Sequence, residues 1–241
     1  MKLSMKSLGF MRCIAFGLCA ISFAATATVV ATNELVRARD RQDMATLDKL
    51  AKQLSQTASQ SPKSDASYRA ALAYSYSAEV AMELHDKKKA VELAEAGLDQ
   101  AKKAVDANAN NAEYHRLLGE LCGQVIPANP LLGAMKYGTC ARDEINKAIE
   151  LDGKLALAYV SRGVGNYYLP ATMGGGVDVA LKDLDKAIAL DPNLSEAYLW
   201  KGVILKKANR DAEARQAFTQ ALKLDPNRLW AKEQLSKTPA H

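Results

Sequence analysis

A short string near the C-terminus recurs along the chain. Ala221-Leu-Lys-Leu-Asp-Pro226 echoes Ala187-Ile-Ala-Leu-Asp-Pro192 and Ala148-Ile-Glu-Leu-Asp-Gly153, and a degraded copy begins at Ala104-Val105. The leading alanines lie 44, 39 and 34 residues apart. Repetition at this period marks a stack of similar units, each too small to bury its apolar face without its neighbours. The composition points to helical units. Ala, Leu, Lys, Asp and Glu dominate while aromatics make up 6%, and Ala and straight-chain residues lose little freedom in a helix.

Segment 195–226 resembles the tetratricopeptide repeat nearly position by position. Tyr198 takes the large aromatic place, Gly202 the close-packed glycine, Ala214 and Ala221 the two small places, and Phe218 the aromatic between them. Asn209-Arg210-Asp211 supplies the turn between the helices, and Pro226 ends the second one. Segment 156–192 repeats the roles with Tyr159, Gly163, Ala180, Leu184 and Ala187, and segment 112–153 with His115, Leu118, Gly119, Ala141, Ile145 and Ala148. Their inter-helix turns are longer, by five and ten residues. Segments 67–84 and 87–106 form a degenerate pair joined at His85-Asp86. One helix is expected over 34–57, where Leu35, Met44, Leu47, Leu50 and Leu54 form a stripe; segment 59–64, with Pro62, reads as a loop, and 229–235 as a short closing helix. The expected fold is therefore an all-α tetratricopeptide-repeat solenoid of about four helix pairs with a capping helix at each end. Residues 32–111 form its N-terminal helices with the degenerate repeat, and 112–241 its regular repeats and closing helix.

Residues 1–31 stand apart. Lys2, Lys6 and Arg12 precede a run from 13 to 30 without a charge, and Ala25, Ala27, Val29 and Ala31 offer small-residue cleavage sites. This is the pattern of a secretory signal peptide and predicts a periplasmic or secreted protein. The alternative is a retained inner-membrane anchor, because the run approaches the ~20 residues that span a bilayer. Taking its three basic residues from the chain's 32 leaves 29 against 27 acidic ones. The whole-chain pI of 8.9 thus overstates the basicity of the remainder, and no concentrated basic face suggests nucleic acid.

Two of the four cysteines, Cys122 and Cys140, lie beyond that segment. They fall near the end of a first helix and the start of its partner, so antiparallel packing can bring them together, and an oxidising compartment would permit a bond. The alternative is two small buried residues that never meet. No cofactor is expected and no catalytic centre. His85, His115 and His241 form no set with metal-ligand spacing, and Asp183 and Asp185, two residues apart, face different sides of a helix. Gly174-Gly-Gly-Val-Asp178 lacks the Gly-Lys-Ser/Thr of a phosphate loop and reads as a turn, with Asp178 capping the next helix.

The turn Tyr167-Tyr-Leu-Pro-Ala-Thr-Met-Gly-Gly-Gly-Val-Asp178 is similar to that of exported bacterial repeat proteins, among them the T components of TRAP-type solute transporters. That resemblance implies an apolar ligand cleft. It departs in the lipidation motif, since Leu18 stands before Cys19 where a small residue is expected. The repeat resemblance also implies that positions two, five, nine, twelve and thirteen of each first helix line a concave face. From these, Arg116, Glu120, Val160, Val164, Tyr167, Leu199 and Val203 are the candidate groove residues, Tyr167 edging an apolar patch. The Lys/Asn/Arg set that grips a peptide carboxylate in chaperone-type repeats is missing. The function expected is an interaction scaffold that receives a protein segment in this groove. The alternative is a binding component for an apolar small molecule, serving transporter subunits.

Overall fold

The computed structural model describes residues 32–60, 63–128 and 130–240. The proposed signal segment, 1–31, lies outside them. Residues Leu35–His241 form one compact unit, and among the described residues there are helices and no strands. In chain order the helices are α1 (32–40), α2 (Met44–Gln60), α3 (Ser64–Glu83), α4 (Lys87–Ala107), α5 (Ala112–Val125), α6 (Pro130–Leu151), α7 (Ala156–Tyr168), α8 (Val177–Leu190), α9 (Ser195–Lys207), α10 (Asp211–Leu224) and α11 (Leu229–Ser236).

The single helix expected over 34–57 is two helices. Gln42 breaks it with a φ of 54°, and Asp43 restarts α2 by accepting from the Thr46 backbone N–H and hydroxyl at 3.0 and 2.6 Å. The break repeats a turn used twice more. Gln42, His85 and Asn209 each adopt the left-handed region, at φ 54°, 65° and 59°. In each case the next residue's N–H reaches back five positions, Asp43 to Ala38, Asp86 to Ala81 and Arg210 to Leu205, at 2.8, 2.8 and 2.9 Å. This is a helix C-terminal closure that satisfies carbonyls the helix leaves over. So α1 and α2 make a further helix pair, and the described chain holds five pairs and a closing helix.

The turns between pairs share a second device. Asn108, Asp152, Asp191 and Asp225 each accept a hydrogen bond from the backbone N–H two residues on, at 2.9–3.3 Å, the Asx turn that short polar side chains favour. Each first helix then begins one turn later, after Asn111, Leu155, Leu194 and Arg228.

Packing follows the repeat. A Cβ at Gly202 would lie 2.5 Å from the Phe218 ring, so only glycine lets α9 approach α10 over that buried aromatic. In the long α7–α8 turn a Cβ at Gly175 would sit 2.1 Å from the Leu169 carbonyl. The Gly175 and Gly176 N–H groups donate to the Pro170 and Asn166 carbonyls at 3.2 and 2.8 Å, so the glycines build the turn itself. The N-cap of α8 is Gly176 and not Asp178, which lies in the first turn of the helix. The longer turn expected after α5 is not found. A short turn at Ile126–Ala128 leads into α6, which already begins at Pro130, so the extra residues lengthen the helix. A Cys122–Cys140 disulfide with a Cα–Cα distance of 6.1 Å joins α5 to α6.

Candidate binding face

The first helices of successive pairs pack on one another, α3 on α5, α5 on α7 and α7 on α9, and together they make the wall on which the candidate groove residues lie. On α3 and α5 this wall is charged. Arg116, 3% exposed, grips Glu113 with both Nε and Nη2 at 2.7 Å and also bonds Glu120. Glu120 accepts from Ser75 on α3 at 2.8 Å and from Ser161 on α7 at 3.1 Å, and the Tyr68 hydroxyl donates to Glu113 at 3.1 Å. Burial works against the Arg116 charge, but Glu113 and Glu120 outweigh it and hold the guanidinium well above its ordinary pKa. Bidentate pairing of this kind makes a buried arginine tolerable.

The chain curls until the start of α9 and the turn before α11 meet α1 and α3. Arg228, 2% exposed, donates to Glu79 at 2.5 Å and to both oxygens of Glu83, one at 3.1 Å. Its Nε lies 4.0 Å from Asp40. Arg39 stands 3.7 Å from Glu196 and 4.9 Å from the centre of the Tyr76 ring, and Gln42 donates to Glu83 at 3.0 Å. Four carboxylates thus surround two guanidiniums. Burial, with Glu196 and Glu83 adding to it against the pull of Arg228, pushes the Glu79 carboxyl up to about 8. Burial also raises Glu83 and Asp40.

On α7 and α9 the wall becomes apolar. Glu120, Val164 and Val203 are the ninth residues of α5, α7 and α9, and Glu79 precedes its left-handed turn residue by the same six positions as Val203. Val164, Tyr167 and Val203 are half-buried against the core. Tyr168 is 70% exposed, edge-on to Tyr167 with ring centres 5.0 Å apart, and Met173 in the adjoining turn is exposed as well.

The seven candidate groove residues therefore separate. Val164, Tyr167 and Val203 stay partly accessible, while Arg116 and Glu120 belong to the ionic network. Val160 and Leu199 do not line a groove: at 4% and 1% exposure they are core, buried together with Tyr159, Leu184 and Phe218. Lys206 reaches Gln234 on α11 at 3.3 Å. His115 packs as expected for a large repeat residue, with Nδ1 2.6 Å from Glu144 and Nε2 2.9 Å from the Ala109 carbonyl. Asp183 is held by Arg162 and Asn166, Asp185 by Lys201, so the two carboxylates serve separate contacts. Sequence reading missed the cluster around Arg228. Its one local signal is an arginine in the place that Leu155 and Leu194 fill in the preceding repeats.

These features define a tetratricopeptide-repeat protein, a helical repeat scaffold. More particularly, residues 32–237 match the model of the family described as regulator of microtubule dynamics protein 1-3, and the chain belongs to that family. No curated protein sequence matches it significantly. Among solved structures it is similar to TTC0263, a thermophilic repeat protein of Thermus thermophilus, with a TM-score of 0.61 and 18% identity over 86% of this chain and 97% of that one. It is also similar to the HusA haemophore of Porphyromonas gingivalis, with a TM-score of 0.52 and 20% identity over 79% and 92%. At these identities the likeness is one of fold.

Proposed function

We propose that the protein is an exported scaffold, without chemistry of its own, that receives a segment of another protein on the C-terminal half of its concave wall. The observation that carries this reading is the change at one repeat position, from Glu79 and Glu120 to Val164 and Val203, beside the exposed Tyr168. An apolar strip edged by tyrosines on rigid helices suits a segment with apolar side chains at helical spacing. The family description names a protein that regulates a protein assembly, which supports a protein partner over a metabolite. Export is supported by the charge and small-residue pattern of 1–31 and by the disulfide, since such bonds persist in oxidising compartments. The small-molecule reading needs an apolar cleft near Val160, Val164 and Tyr167, and Val160 is occupied in core packing.

A photo-crosslinking residue at Tyr168 or Val203, compared with one at Glu92 on α4, tests the reading. Protein adducts are expected from the first two sites and not from the third. Equal adducts from all three, or native mass spectrometry showing an apolar molecule retained by the purified chain, would replace it. N-terminal sequencing that begins beyond residue 24 would establish export, and an intact start at Met1 would refute signal cleavage.

A further inference from the structure

The structure assigns to Arg228 the role of a latch that closes the superhelix on itself, so that the charged half of the concave wall is sealed by the chain's own last turn. In a repeat stack each unit touches only its neighbours. Here a side chain reaches 145 residues back to bond Glu83, and it also bonds Glu79 and approaches Asp40. A second pair, Arg39 with Glu196, crosses the same gap in the opposite sense. Each end of the solenoid thus sends one arginine among carboxylates that include the other end's.

The position itself shows that the arginine is not there to pack the repeat. The residues before α7 and α9 are Leu155 and Leu194, in the same Asx turn and one residue ahead of the helix. Before α11 the turn is unchanged, Asp225 still bonding the Asn227 N–H at 3.0 Å, but Arg228 replaces the leucine. Apart from Trp230 on α11, 5.6 Å from its guanidinium, the groups around that side chain belong to α1, α3 and α9. Two guanidiniums against four carboxylates is a junction that holds together without being saturated, and a buried ion pair contributes little net stability over apolar packing. Such a junction is suited to opening. When Arg228 leaves, α11 and the start of α9 swing free of α3, and Glu79, Glu83 and Tyr76 come to face solvent.

Arg228→Leu in the full chain restores the residue that the preceding repeats carry and removes the latch. The expected result is unchanged helical circular dichroism, a larger radius of gyration by small-angle scattering, and amide exchange at least about tenfold faster in the second half of α3. Arg228→Ala should open in the same way and close again with millimolar guanidinium ion, which fits the vacated site, whereas the leucine variant should not respond. Wild-type scattering and exchange in both variants would overturn the latch. So would a loss of helicity in both that guanidinium does not relieve, because the arginine would then be holding the repeats themselves and not the gap between them.

Discussion

At the ninth position of its helix α5 carries Glu120, and at the same position α7 carries Val164. The backbone and its place in the wall are the same, yet the consequences are opposite. Glu120 ties three helices together, accepting from Ser75 on α3, Arg116 on α5 and Ser161 on α7. Val164 leans on the core and leaves a face open beside Tyr167 and Tyr168. One half of the wall spends its side chains on internal pairing and the other leaves them partly exposed. The repeat fixes geometry, and the residues at a few inward positions decide whether that geometry is closed by internal pairing or left accessible.

Arg116→Ala tests the charged half most severely. It leaves Glu113 and Glu120 without their guanidinium, and breaking a buried pair costs about 3–5 kcal/mol, read as a lowered urea midpoint. Leu199→Ala tests the apolar half from below the surface and should cost about 2–5 kcal/mol by creating a cavity beneath the strip. A near-neutral result would mean that Leu199 lines an open groove after all. Glu79→Gln should act through pH. The folded chain holds the Glu79 proton up to about 8, against an ordinary value near 4.5, so this group's contribution is complete below the lower value and is lost as pH rises to the upper one. Denaturation at about pH 5 and pH 8.5 should show a decline that is smaller in the glutamine variant, with Glu83 and Asp40 supplying what remains. Tyr168→Ala, mostly exposed, should shift stability by no more than about 0.5 kcal/mol while weakening partner capture. A large loss of stability would place Tyr168 in the core.

Much of the fold could be read from the residues because the repeat writes its packing into small and bulky positions. Gly202 opposite Phe218, and the Asp-Pro ends of the second helices, are local signals with fixed spacing. The break at 41–43 escaped because Arg41-Gln42-Asp43 contains neither glycine nor proline, although His85-Asp86 shows that a polar residue before aspartate can turn this chain. Val160 and Leu199 were misplaced since a repeat position that faces inward in general can still be covered by its neighbours in one protein. The Cys122–Cys140 pair was legible as one of two alternatives, and three-dimensional placement was needed to join it. The Arg228 junction was illegible for a different reason: its partners lie mostly in the first third of the chain, and no periodicity links them.

That junction changes how the molecule should come apart. A linear stack loses its terminal units first, and its stability is nearly a sum over neighbours. Joining the last turn to the third helix makes the array circular in its couplings, so neither end is a free end. Fraying that begins at α11 must also disturb α1 and α3, and a ligand that steadies one terminus steadies the other. A protein of this kind unfolds as a single cooperative body where an open solenoid of the same repeats would peel.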